Sequence, residues 1–291
     1  MKINVKKVNA FTNSVNGGNP AGVVLNSPVL SDKEMAYITR EIQVSETAFV
    51  FPGEKTDYLV RFFTPEIEVD LCGHATIATF FTMGVEGFFP KQNRVVVTQE
   101  TKAGVLPVTI EFGDNGMVDL VMMNQSKAVL EDIYLDISKI ADSLNIKVEE
   151  IDSSLPLQRV STGLFTLPVC VKSFNVLKSM KPDFEKIKKI CNKINVGSFH
   201  VFTFDALDSN SLYHARNFAP VYGVNEDPVT GTANGAVCSY LLKNHIIKDK
   251  KMVCEQGDIV GRPGRVFVEI VDDLVKVGGR AKIVKDLHPK I

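Results

Sequence analysis

Short runs rich in β-branched and aromatic residues recur through the first half of the chain: INVKKVNAF, GVVL, ETAFVFP, YLVRFFT, RVVVTQE, LPVTIEF and MVDLVMM. Their length and composition predict strands. Between the second and third runs, SDKEMAYITREIQ switches to helical spacing, with Met35, Ile38 and Ile42 on one face. Ser31 stands as its N-cap and Glu34, three residues on, completes a capping box. In the second half, residues 163–171 (GLFTLPVCV) and 198–204 (SFHVFTF) predict strands. Between them lies a helix over 183–194, capped by Asp183, with Phe184, Ile187, Ile190 and Ile194 inward.

A repeat organises these elements. Arg61-Phe62-Phe63-Thr64-Pro65 precedes Gly73-His74-Ala75, and Arg216-Asn217-Phe218-Ala219-Pro220 precedes Gly231-Thr232-Ala233; the arginines are 155 residues apart. After each glycine follows a segment that is apolar on most faces, ATIATFFTMG and ANGAVCSYLL. A helix that is apolar all round must be buried, and in a strand-rich half the sheet can bury it by wrapping around it. The expected fold is therefore α+β, with two pseudo-symmetric half-barrels, each closed around a central apolar helix. Ile77 and Val237 should lie in the two cores. The boundary is placed in a linker at residues 122–130, giving domains 1–125 and 126–291. A pseudo-two-fold axis would face the helix starts Gly73-His74 and Gly231-Thr232 across one cleft.

Composition narrows the function. The chain has 291 residues, 45% hydrophobic and 23% charged, enough for a sizeable core. With 33 Lys and Arg against 34 Asp and Glu, the formal charge is −1, so no basic field attracts nucleic acid or anionic lipid. No apolar stretch approaches the ~18 residues that span a bilayer, and the first twenty residues lack a secretory core, so a cytoplasmic protein with no membrane partner is expected. The five cysteines and five histidines are scattered. None falls in C-x-x-C or H-x-x-x-H spacing, so neither a disulfide framework nor a metal site is expected.

The chemistry gathers at the repeated turns. Open backbone N–H groups and the positive dipole end make a helix start a carboxylate site, and glycine allows close approach of an anion. Either glycine alone could equally serve only a tight turn. Asp227 opens D-P-V-T-G-T-A-N-G and is also an ordinary turn former before proline. His74 sits in the first helical turn, as a functional group or as a surface cap. Glu46 breaks an otherwise apolar strand face shared with Val44, Ala48 and Val50. It lies either at a wet strand end or in a pocket, where it could take a proton and return it. The corresponding VGSFHVFTF has no acid, and a departure from symmetry points to function. Cys72 could be an activated thiolate, although a buried structural cysteine fits as well; its counterpart is Thr230.

Six motifs in order, G-N-P-A-G-V-V-L (Gly18 to Leu25), S-E-T-A-F-V (Ser45 to Val50), R-F-F-T-P, C-G-H-A-T (Cys72 to Thr76), D-P-V-T-G-T-A-N-G (Asp227 to Gly235) and E-Q-G-x-x-x-G-R-P (Glu255 to Pro263), cover nearly the whole chain. Together they resemble the phenazine-biosynthesis PhzF-like isomerase family of the diaminopimelate-epimerase fold. The resemblance implies two pseudo-symmetric domains, a cleft site with neither cofactor nor metal, a homodimer and a small anionic substrate. It implies Glu46, His74 and Asp227 as catalytic residues, with Ser45, Gly73, Gly231 and Thr232 binding substrate. In the family's characterised isomerase the glutamate shuttles a proton on the cyclic amino acid trans-2,3-dihydro-3-hydroxyanthranilate. That enzyme has G-H-P where this chain has G-H-A-T, and serine where it has Thr232, so the phenazine substrate does not follow. The related epimerases carry a cysteine at each helix start; here only Cys72 remains. Isomerisation is thus the leading expectation, beside epimerisation or racemisation on the same fold and a binding protein that has lost turnover. The Glu255–Pro263 segment reads as a hairpin turn with Arg262 in solvent, or as an element that closes the cleft.

Overall fold

The computed structural model describes residues 2–90 and 92–290. The chain forms two compact units, one of Met1–Asn124 with Gly278–Ile291 and the other of Gln125–Val277.

In the first unit the expected runs form β1 (Val5–Ala10), β2 (Asn19–Val24), β3 (Glu46–Pro52), β4 (Tyr58–Phe63), β5 (Glu68–Val69), β6 (Arg94–Thr101), β7 (Gly104–Phe112) and β8 (Val118–Asn124), with helices α1 (Asp32–Glu41) and α2 (Gly73–Val85). Strand β1 pairs antiparallel with β2, β2 parallel with β3, β3 antiparallel with β4, β4 parallel with β6, and β6–β7–β8 run as an antiparallel meander. Ser31 caps α1 through the expected capping box, and Met35 and Ile38 are fully buried.

The second unit contains β9 (Val129–Asp132), α3 (Ile137–Leu144), β10 (Gln158–Ser161), β11 (Phe165–Cys170), α4 (Phe174–Ser179), α5 (Phe184–Ile194), β12 (Ser198–Thr203), β13 (Tyr213–Ala219), β14 (Val224–Asp227), α6 (Gly231–Lys243), β15 (Lys251–Gln256), β16 (Gly264–Val271) and β17, which begins at Leu274 and ends with the first unit's Gly278–Gly279. Its pairing repeats the first: β10 with β11, β11 parallel with β12, β12 antiparallel with β13, β13 parallel with β15, β15 antiparallel with β16. Asp183 caps α5 and Ile187 is fully buried, while Phe184, Ile190 and Ile194 pack partly buried against the same core.

The last strand, β18 (Ala281–Leu287), lies with the first unit because it pairs antiparallel along β1, while β9 pairs with β10 in the second. Residues 122–130 are therefore not a free linker. They are the end of β8, the four residues 125–128 and the start of β9.

Each unit buries its apolar helix as the pattern requires. Helix α2 packs against β1, β2, β3, β7, β8 and β18, and α6 against β10, β11, β12 and β16. Ile77 and Val237 are completely inaccessible. The threonines of α2 are buried without loss because Thr76, Thr79 and Thr82 donate their hydroxyls to the carbonyls of Cys72, Ala75 and Ala78 at 2.7–2.9 Å. The strands are covered on the other side too. Met35, Ile38 and Ile42 pack on Phe49 and Phe63, and α3, α4 and α5 cover Phe199, Val201 and Phe218. This is why β3 does not alternate: Thr47 and Phe49 are as buried as Ala48 and Val50. No helix among the described residues is long and apolar enough to cross a membrane.

Candidate active site

Parallel pairing places the amino-terminal residue of β3, Glu46, opposite Ala21 of β2. The start of α2 lies beside it. His74 Nε2 is 3.3 Å from Glu46 Oε2 and 3.5 Å from Ser45 Oγ, and Cys72 Sγ is 3.4 Å from His74 Nδ1. The Glu46 side chain is 22% exposed, yet its Oε2 is inaccessible and without a hydrogen bond among the described residues; the His74 contact is close but not aligned. Glu46 thus stands at a strand end with its side chain partly buried. A buried, unbonded carboxylate oxygen is costly unless something else engages it.

Helix α2 has no side-chain cap, and its first backbone bond runs from Thr76 N–H to Cys72 O. The N–H groups of Gly73, His74 and Ala75 therefore have no helical acceptor and form a ready anion site. Ser45, Glu46, Gly73 and His74 are accordingly one cluster in the first unit, joined by Cys72. One imidazole nitrogen, the Cys72 sulfur and a Glu46 oxygen lie within 4.8 Å of one another, so this cluster also has donors that could hold a metal.

Asp227, Gly231 and Thr232 belong to the second unit. Asp227 ends β14, and its carboxylate accepts a short hydrogen bond from the Thr230 hydroxyl. Helix α6 likewise lacks a side-chain cap and starts at Gly231. The Thr232 carbonyl accepts from the Thr162 hydroxyl at 3.2 Å.

Gln256 locks this turn. Its Oε1 accepts from Thr230 N–H at 3.1 Å and from Asn234 Nδ2 at 2.9 Å, and its Nε2 donates to the Asp227 carbonyl at 2.9 Å. Asn234 Oδ1 in turn accepts from the Tyr213 hydroxyl at 2.8 Å. The next residue, Gly257, has φ +93°, and a Cβ there would lie 2.2 Å from the Arg262 carbonyl oxygen and 2.8 Å from that of Pro228. Only glycine allows that approach. The E-Q-G segment thus clamps the Asp227–Thr230 turn, and Arg262 is half-buried rather than solvated, which lowers its pKa through desolvation. Thr230, Asn234 and Gln256 were not among the expected site residues. Thr230 and Asn234 lie within the D-P-V-T-G-T-A-N-G motif and Gln256 within E-Q-G, but nothing local shows that the two segments meet, 26 and 29 residues apart.

Glu255 is fully buried in the same strand. Burial alone would raise its pKa, but hydrogen bonds from His214 Nδ1 at 2.8 Å and from the N–H groups of Leu207 and Asp208, with Arg265 nearby, outweigh it and hold the carboxyl at about 2.

Comparison with known proteins gives this site its context. Residues 8–286 match the model of the PhzC-PhzF family, described as phenazine biosynthesis-like protein. An uncharacterized isomerase of Clostridium acetobutylicum is 36% identical, with 97% of this chain and 96% of that protein covered. The uncharacterized isomerase YfhB of Bacillus subtilis is 35% identical over 96% and 93%. A Bacillus anthracis phenazine biosynthesis protein of the PhzF family, known by crystal structure, superposes with a TM-score of 0.91 at 34% identity, each chain covered completely. The hydroxyproline epimerase of Agrobacterium vitis shares the fold, with a TM-score of 0.63 at 13% identity over 99% of this chain and 91% of that one. The protein is an isomerase of diaminopimelate-epimerase-like α+β fold. It belongs to the PhzC-PhzF family.

Proposed function

We propose that the protein moves a proton within a small carboxylate-bearing substrate, of the cyclic amino-acid class, by acid/base catalysis at Glu46 and without a cofactor. One observation carries this reading: a carboxylate oxygen that is buried, free of hydrogen bonds and 3.3 Å from an imidazole, beside an uncapped helix start. Ionised Glu46 removes a proton from a carbon of the substrate, becomes a carboxylic acid, and returns that proton to another carbon on the same face. The negative charge that develops meanwhile on the substrate is met by the N–H groups of Gly73, His74 and Ala75. His74 stands 3.3 Å from the Glu46 carboxylate and Ser45 contacts His74. Asp227, Gly231 and Thr232 contribute to substrate binding and to the reaction in this proposal, Asp227 held by Thr230.

A second reading, epimerisation by thiols, rests on Cys72 Sγ lying 3.4 Å from His74 Nδ1. It would need a base on each face, and the matching helix start carries Thr230, a hydroxyl engaged with Asp227. Turnover of a screened substrate in deuterated water separates the two. Glu46→Gln should lose a factor of ~10² to 10⁴, the usual share of general acid/base catalysis, and Cys72→Ala should keep most activity, with the moved hydrogen on one face. An inactive Cys72→Ala, an active Glu46→Gln and deuterium at an inverted α-carbon would assign the epimerase. Binding of a carboxylate without turnover under any condition would leave the binding-protein reading. Asp227→Asn should lose turnover while the melting temperature holds. Homodimerisation is proposed from the resemblance, and sedimentation at twice the monomer mass is its check.

A further inference from the structure

The three groups around His74 have the composition of a zinc-type ligand set: a thiol, an imidazole and a carboxylate. In a tetrahedral site with ordinary zinc bond lengths, nitrogen and sulfur stand about 3.6 Å apart, and nitrogen and oxygen about 3.4 Å. Here Cys72 Sγ is 3.4 Å from Nδ1 and 4.0 Å from Nε2, and Nε2 is 3.3 Å from Glu46 Oε2. For Nε2 the carboxylate spacing already matches, and the Cys72 sulfur would have to move about 0.4 Å closer to complete the set. Glu46 Oε2 is in addition a buried acceptor with no hydrogen bond among the described residues. An ion beside it would satisfy that oxygen.

We propose that Glu46, Cys72 and His74 form a three-ligand site for a zinc-class divalent ion, and that its occupation inhibits the enzyme. Binding releases the Cys72 thiol proton to solvent and forms a metal–sulfur bond. The ion's two positive charges are then balanced by one thiolate and one carboxylate, and its fourth position is left to water or to a substrate carboxylate. Glu46, once coordinated, can no longer take a proton. Sequence spacing concealed this set because Glu46 comes from β3 and the other two from the start of α2. The binding half of the proposal stands without the isomerase mechanism, and only the inhibition rests on it.

The test uses the full chain, stripped with a chelator and titrated with cobalt(II) in the absence of any substrate. One equivalent should produce thiolate-to-cobalt charge-transfer absorption together with the intense visible bands of a tetrahedral ion, both erased by zinc. Cys72→Ser should remove the charge-transfer absorption, and His74→Asn and Glu46→Gln should each weaken binding roughly tenfold or more. Melting curves of the three variants show that they are folded. If no such absorption appears, or if it survives both Cys72→Ser and His74→Asn, there is no such site. A tetrahedral cobalt site with turnover unaffected by saturating zinc would overturn the inhibition and, with it, the proposed role of Glu46.

Discussion

The two units use one pairing scheme to carry different polar residues. In the first, Thr47 of β3 pairs with Phe63 of β4; in the second, Phe199 of β12 pairs with Phe218 of β13. Glu46 therefore corresponds to Ser198, a buried hydroxyl 2.8 Å from that of Thr166. Phe62 pairs with Val69 and Asn217 with Asp227, so the acid of the second unit corresponds to a valine. Cys72 and His74 correspond to Thr230 and Thr232. What is not exchanged is structural. Arg61 grips Glu68 with two hydrogen bonds of 2.7 and 2.8 Å while its guanidinium stacks on Phe63, and Arg216 does the same with Glu226 and Phe218. Packing demands are shared and preserve the symmetry; under the proposed function, the polar groups that break it serve the reaction. At these matched positions each unit has an acid that the other lacks, Glu46 with an open oxygen and Asp227 with a bonded one.

The deepest shared feature gives the largest effect. Ile77→Asp and Val237→Asp should each prevent soluble folding, since an unpaired buried charge costs several kcal/mol against a total stability of about 5–15 kcal/mol. Normal expression and melting of only one would break the equivalence of the two helices, and of both would contradict the burial argument. The two arginine clamps should then differ in degree. Arg216 also donates to the carbonyls of Leu177 and Met180 and is more buried than Arg61, whose partner Glu68 keeps an ion pair with Lys102. Arg216→Ala should cost about 3 kcal/mol in denaturant unfolding and Arg61→Ala about 1 kcal/mol. Equal losses would show that the extra carbonyl bonds add nothing.

Acid should find the second unit first. Burial lowers the His200 pKa from 6.5 to about 4, against weaker support from Asn217 and Asn234. Its contribution is complete above pH 6.5 and is lost as pH falls toward 4, because only the unfolded chain binds the proton there. Glu255, held at about 2, contributes fully above about 4.5 and loses that contribution between there and 2. Each amounts to roughly 3 kcal/mol at full extent. Stability followed against pH should decline in both windows, and His200→Gln should flatten the upper one; an unchanged slope would remove His200 as the cause. Gln256→Ala should cost about 1–3 kcal/mol for the bonds lost to Thr230, Asn234 and Asp227. It should also lower turnover through the turn it holds. A stability loss without any change in turnover would make Gln256 structural only.

The sequence by itself determined the strands, the capped helices, the two buried helices and the repeat, because strand composition, capping boxes and all-round apolarity act within a few residues of one another. It also singled out Glu46, Gly73 and His74, since a charge on an apolar strand and a glycine before an apolar helix are local anomalies; Ser45 came only through the family resemblance. Tertiary structure alone decided that Glu46 meets His74, that Gln256 clamps the Asp227 turn, and that β18 lies on β1 some 270 residues before it. It also decided that β3 is buried on both faces, which no alternation along the strand announces. These outcomes depend on pairing across long loops, whose closure free energy rises only slowly with length. Many partners are therefore compatible with the same local pattern, and packing around α2 and α6 selects among them.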